Sequence, residues 1–193
     1  MKTLTQHITE RLQLNKDRVR KIKYEYCPET RKELGDIIKD ITSKHSNDKI
    51  IDLNMIDTSK IEDMQSLFLE NQYNYNISHW DVSNVENMGF MFYDSNFNNN
   101  ISQWDVSNVK YMTGMFEHSR FNKDISKWDV SNVKDMSSMF ENSLFNGDIS
   151  QWNVLNANIT HMFFKAKFNK DLTNWKNKIK DKKQLKFIKD YIK

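Results

Sequence analysis

Five tryptophans set the frame for this chain. Trp80, Trp104, Trp128 and Trp152 stand 24 residues apart, and Trp175 follows after 23. The text around them barely changes. Residues 97–120 read FNNNISQWDVSNVKYMTGMFEHSR, and residues 121–144 read FNKDISKWDVSNVKDMSSMFENSL. The units at 73–96 and 145–167 match closely, the second being one residue shorter. An eroded unit at 49–72 has Leu53 for the Ile, Ile56 for the Trp and Asp57-Thr58-Ser59-Lys60-Ile61 for Asp-Val-Ser-Asn-Val. A half unit, FNKDLTNW at 168–175, closes an array of about five units. A unit this small cannot bury its own apolar face. Identical residues in neighbouring units must therefore align into columns that share one core.

Within a unit, Ile77, Trp80 and Val82 follow the pattern apolar-x-x-apolar-x-apolar. This predicts a short strand with its apolar groups turned inward. Met88, Met91 and Phe92 then fall at i, i+3, i+4, which predicts one stripe on a short helix. The Ser-Asn pair between them suits a turn, because short polar side chains bond nearby backbone. The expected fold is an α/β repeat. It is a short right-handed, leucine-rich-repeat-like solenoid with one short strand and one short helix per 24-residue unit, and helical caps at both ends.

The unit FNxDISxWDVSNVxxMxxMFxxS resembles the BspA-like leucine-rich repeat family, the repeat of the mycoplasma lipoprotein-associated domain of unknown function. The resemblance covers 73–164 strongly and 49–72 and 165–175 weakly. The strand approaches the general pattern LxxLxLxxN. It departs in that Asn84, Asn108 and Asn132 come one place early and Trp replaces a Leu. The resemblance implies a solenoid, a role in protein binding, often adhesion at a cell surface, and no enzyme activity. Most such proteins carry an export signal. Residues 1–30 of this chain contain no apolar h-region, so it is expected to be cytoplasmic on synthesis, with virion-associated and cell-surface locations left open.

The flanks differ from the repeats. The expected organisation is a basic arm at 1–23, a capping helix at 24–48, the repeats at 49–175 and a basic capping helix at 176–193. Leu4, Ile8 and Leu12 form an apolar stripe in the arm. MKTLTQHITERL with its basic continuation is similar to short N-terminal peptides that direct proteins into the heads of tailed phages. Pro28 marks a break. Thr30 with Glu33 reads as a capping box opening a helix with Leu34, Ile37, Ile38 and Ile41 on one face. Leu185, Ile188 and Ile192 among lysines predict the closing helix. The net charge of +3 hides an asymmetry: residues 1–50 sum to +4, 51–175 to −7 and 176–193 to +6. Basic ends can meet nucleic acid or an anionic surface, or the acidic middle of this chain or of a neighbour.

Composition excludes several classes. At 193 residues the chain can bury a core without disulfides or metals. Mean hydropathy is low at −0.79, yet aromatics reach 12%, more than a disordered chain carries. One cysteine, Cys27, permits no internal disulfide and no spaced-cysteine zinc site. It lies in Tyr24-x-Tyr26-Cys27 and reads as packed rather than reactive. No stretch of about 18 apolar residues marks a transmembrane helix.

Candidate sites are weighed against plain packing. The Trp column reads as core rather than as a stacking platform. The Met88/Met91 and Met112/Met115 pairs read as core rather than a soft-metal box. Stacked at about 4.8 Å, the carboxylates of Asp57, Asp81, Asp105 and Asp129 would repel one another. A Ca²⁺ ion could relieve this, but the favoured reading is that each Asp caps its own turn. Asn84, Asn108, Asn132 and Asn156 read as a side-chain hydrogen-bond ladder inside the turn. His7, His45, His79, His118 and His161 show no pairing, and no catalytic order or phosphate loop appears. The chain reads as a non-enzyme, with no cofactor, metal or small-molecule substrate. The candidate binding face is the outward row His79, Gln103, Lys127 and Gln151 beside Asp81, Asp105 and Asp129. A protein partner is the first reading. A structural component of a phage or virion, and less favoured a nucleic-acid binder through the basic ends, are the alternatives. The partner's identity and the oligomeric state stay open.

Overall fold

The computed structural model describes residues 24–192, so the arm at 1–23 lies outside the described residues. Helix α1 spans Arg31–Lys44, strand β1 Ile51–Asp52, strand β2 Tyr75–Asn76 and helix α2 Thr173–Lys178. Two 3-10 segments, Lys182–Phe187 and Lys189–Tyr191, close the chain.

The repeats contain neither the expected strand at Ile77–Val82 nor the expected helix at Met88–Phe92. Both segments are built from turns. The N–H of Trp80 donates to Ile77 O (3.2 Å), which makes Ser78 and His79 the middle of a turn. The N–H of Val85 donates to Val82 O (2.9 Å) around Ser83 and Asn84, and Met91 donates to Met88 O (3.2 Å) around Gly89 and Phe90. Apolar residues three apart are thus turn corners that point inward. That spacing equals a helical stripe over one turn, so the two cannot be told apart over five residues. A helix also needs each N–H for the carbonyl four residues back. Here those donors go sideways. Met88, Phe90, Phe92 and Asp94 donate to Tyr111, Thr113, Met115 and Glu117 of the next unit, at 2.8–2.9 Å. Left-handed residues recur at matching places to make this possible: Phe90 and Asp94, Gly114 and His118, Ser138 and Asn142, His161 and Lys165.

Strand-like pairing between units is parallel and lies elsewhere than expected. β1 pairs with β2, Ile51 opposite Tyr75. Single parallel bridges then link Asp63, Asn87, Tyr111, Asp135 and Asn158 in succession. The unit at 145–167 is one residue short between Ala157 and Asn158. There the N–H of Asn158 donates to Lys134 O (2.9 Å), as Lys134 itself does to Lys110 O (2.9 Å). The deletion is therefore absorbed without breaking the ladder.

The core is a set of side-chain columns. Phe68, Phe92, Phe116, Phe140 and Phe163 stack at 5.5–5.9 Å between ring centroids, and Trp104, Trp128 and Trp152 at 6.4 Å. The Met and Val columns are buried with them. Each indole also donates from Nε1 to the preceding unit. Trp80 bonds Leu53 O, Trp104 bonds Ile77 O, Trp128 bonds Ile101 O, Trp152 bonds Ile125 O and Trp175 bonds Ile149 O, at 3.0–3.2 Å. A buried indole N–H left without a partner would be costly. The eroded unit joins the same scheme: buried Thr58 sits in the Val column and donates its hydroxyl to Asp81 O (2.8 Å).

The two flanks behave differently. Thr30 caps α1 by accepting from the Glu33 N–H (3.2 Å). Glu33 reaches back to the N–H of Glu29 (2.8 Å), one residue before the cap. Leu34, Ile38 and Ile41 are buried and Ile37 is partly buried against the first unit, so this apolar face falls where the sequence places it. The closing segment is not an amphipathic α-helix. Leu185, Ile188 and Ile192 do meet the core, with Ile188 fully buried, but from 3-10 turns. Its Tyr191 carbonyl accepts from the Leu172 N–H (2.7 Å), so the backbone follows the last unit's edge instead of a regular helix. Cys27 is exposed, not packed, and the buried neighbour is Pro28.

Candidate functional site

The turn Ile-Ser-x-Trp decides where the variable row stands. Its two apolar corners point into the core, so the residue before each Trp projects away. His79, Gln103, Lys127 and Gln151 are all exposed, and so are Asp81, Asp105 and Asp129. The seven candidate residues are therefore all exposed, at equivalent positions of units hydrogen-bonded side by side.

Their surroundings are chemically uneven. The Asp side chains belong to the turns. Asp81 Oδ1 accepts from the Ser83 N–H (3.0 Å) and hydroxyl (2.6 Å), and Asp105 does the same for Ser107 at 3.1 and 2.6 Å. Asp129 accepts from the Ser131 N–H (3.0 Å), and the bonds from Ser131 hold its carboxyl below the ordinary range. Asn153 ends the column in the same role for Leu155 (3.4 Å). Each carboxylate is thus spent on its own turn, in agreement with the capping reading of this column. Among the described residues no three His, Cys, Asp or Glu side chains converge as a metal site. The row itself is freer. Gln103 and Gln151 donate only to the adjacent Ser102 and Ser150 hydroxyls (3.2 Å each), and the backbone N–H of His79 is held by Asn54 Oδ1 (2.9 Å).

The Asn ladder runs between units and not inside each turn, because each amide reaches the backbone of its neighbour. Asn84, Asn108 and Asn132 donate from Nδ2 to Ser59, Ser83 and Ser107 carbonyls of the preceding unit at 2.6–2.7 Å. At the far end Asn156 Oδ1 accepts from Lys180 Nζ (3.3 Å). A second ladder escaped the sequence reading: the N–H groups of Asn98, Asn122, Asn146 and Asn169 donate to the Oδ1 of Asn74, Asn98, Asn122 and Asn146. A further line of polar turns borders the face. Asn100, Asp124 and Asp148 cap Ser102, Ser126 and Ser150, and these bonds lower the Asp124 and Asp148 carboxyls. The signal for it was present as a recurrent Asx-x-Ser spacing, the same spacing that marks Asp81-x-Ser83.

No helix among the described residues is long and apolar enough to cross a membrane. Comparison with curated proteins and with solved structures gives no match. The family described as Mycoplasma protein of unknown function, DUF285, matches residues 38–142 and again 117–189. The two matches overlap at residues 117–142. Together they cover all of the repeats, the second half of α1 and most of the closing segment, and the chain belongs to this family of Mycoplasma proteins of unknown function.

Proposed function

We propose that this chain is a non-enzymatic protein-interaction module, built as a short right-handed solenoid of the BspA-like leucine-rich repeat type. The observation that carries the proposal is the row His79, Gln103, Lys127 and Gln151. These side chains are exposed and of three kinds over four units, while the turns that hold them repeat. With parallel neighbours about 4.8 Å apart, four such positions span about 14 Å. That is long enough to meet several residues of a partner. Rigid presentation lowers the ordering cost of binding. The flanking Asp columns add negative charge along the row, which favours partners with complementary basic groups and shapes specificity more than raw affinity.

The test compares three variants. His79→Ala/Gln103→Ala/Lys127→Ala/Gln151→Ala removes the row. Asp81→Asn/Asp105→Asn/Asp129→Asn removes charge but keeps an Oδ1 acceptor for each turn, as Asn153 does natively. Glu62→Ala/Lys134→Ala alters exposed positions on the bridge ladder. Chemical cross-linking to source-cell extract, read by quantitative mass spectrometry, should show the same proteins lost with the first variant, weakened with the second and retained with the third. Equal capture by all three would overturn the proposal.

A further inference from the structure

The last unit departs from the repeat at two outward positions. Where earlier units carry Leu69-Glu70, Tyr93-Asp94, Glu117-His118 and Glu141-Asn142, it carries Phe164-Lys165, and a lysine stands at the second place in this unit alone. Lys165 keeps the left-handed backbone of its counterparts, so the turn is the same and only the chemistry has changed. Phe164 is 50% exposed, an apolar ring open to solvent, as its counterpart Leu69 is at 41%. The closing segment brings a second such pair, Lys186 and Phe187, opposite it. Between them lies a cleft of about 210 Å³, also lined by His161, Tyr191 and Asp190.

The groups in this cleft point to one kind of ligand. The His161 ring meets Phe164 at 5.6 Å and Phe187 edge-on at 5.4 Å, so the three rings pack into one aromatic cluster. The Lys165 ammonium stands 5.1 Å over the Phe164 ring, and that of Lys186 stands 4.8 Å over Phe187. Neither ammonium forms an ion pair, although six other pairs are formed among the described residues. Over 161–192 ten lysines face three aspartates, so the surrounding field is positive. Two ammonium groups beside flat apolar rings suit an anion carried on a planar ring. The single carboxylate of Asp190 leaves the cleft's two lysines a net charge near +1. With the positive field around it, the cleft favours an anionic ligand over a neutral one.

We propose that this cleft binds a nucleotide monophosphate unit, its base against the Phe164 and Phe187 rings and its phosphate on Lys165 and Lys186. The site is separate from the row of His79 and depends on none of the residues invoked there.

Isothermal titration of the full chain with AMP, adenosine, inorganic phosphate and ATP tests this. AMP should bind at least about tenfold more tightly than adenosine or phosphate alone, since a stacked base and a charge-assisted contact each contribute about that much. ATP, whose added charge meets the same positive field, should bind at least as tightly as AMP. Lys165→Gln/Lys186→Gln should weaken AMP at least tenfold, and Phe164→Ala should reduce it toward the affinity for phosphate. Lys167→Gln/Lys176→Gln, which removes the same charge outside the cleft, should leave it unchanged. These are exposed positions, and unaltered tryptophan fluorescence verifies folding. A short adenylate oligomer separates the sources: a large gain over AMP assigns the site to single strands, and parity assigns it to free nucleotide. No AMP binding, equal binding of phosphate alone, or equal loss from the control lysines would each overturn the proposal.

Discussion

Gly114 offers a sharp test of how closely the units are fitted together. It occupies a left-handed position with φ +57°, and a Cβ built there would lie 2.4 Å and 2.6 Å from the Cε1 and Cδ1 of Phe90 in the preceding unit. It would also lie 2.9 Å from Glu117 Oε2, the far end of a side chain that can move away cheaply. Phe90, Ser138 and His161 hold the same backbone conformation in the other units without glycine. The conformation alone is therefore tolerable, and overlap with the Phe90 ring is what singles Gly114 out. Gly114→Ala should pay about 1–2 kcal/mol for the left-handed backbone, partly offset by about 0.4–1 kcal/mol from a stiffer unfolded chain. Overpacking against the ring adds about 1–3 kcal/mol. The expected loss is about 2–3 kcal/mol, which with a urea m-value near 2 kcal/mol/M moves the midpoint down by about 1 M. In a Phe90→Ala background the ring is gone, and Gly114→Ala should cost about 1 kcal/mol or less. The assay is a double-mutant cycle by urea unfolding, followed through the buried tryptophans. Equal costs in the two backgrounds would refute the steric argument.

Two further perturbations probe the columns and their charges. Trp128→Phe keeps an aromatic in the stack but deletes the Nε1 bond to Ile101 O and leaves a small void. The carbonyl retains its bond from the Trp104 N–H (3.2 Å), so the expected loss is about 2 kcal/mol in urea unfolding. An unchanged midpoint would show that the indole ladder adds no stability. Glu117 is held above the ordinary carboxylate range by burial first and by neighbouring Glu141 second. The unfolded chain ionises first as pH rises, so the folded state carries a penalty that is complete above the folded value and absent below about 4.5. Glu117→Gln should therefore stabilise at neutral pH, with the difference vanishing at low pH. A difference that persists in acid would point to packing instead.

The 24-residue period made the columns legible in advance. Trp104, Met112, Phe116 and Val106 had to be buried together because nothing inside one unit could cover them, and all four are. The capping role of Asp105 was legible too, because a carboxylate two residues before a serine has a local partner at hand. The cap on α1 was readable from Thr30 and Glu33, though Glu33 takes the Glu29 N–H. The local conformation was not legible. Ile101 to Val106 looked like a strand and Met112 to Phe116 like a helix, since apolar spacings of two, three and four residues fit turns equally well.

Only the tertiary structure decided between them. Turns leave many backbone donors unused within a unit, and an isolated unit would lose them to water. The next unit supplies Tyr111, Thr113, Met115 and Glu117 carbonyls at the places where Met88, Phe90, Phe92 and Asp94 need acceptors. The same bonding between units lets phenylalanine or histidine hold a left-handed backbone that a lone turn would reserve for glycine. It also brings Phe164 and Lys165 beside Lys186 and Phe187, a meeting that no periodicity encodes. The sequence by itself determined which side chains share the core, because burial follows from composition and spacing. The path of the backbone through that core was set by bonds between residues about 24 apart, which no local propensity records.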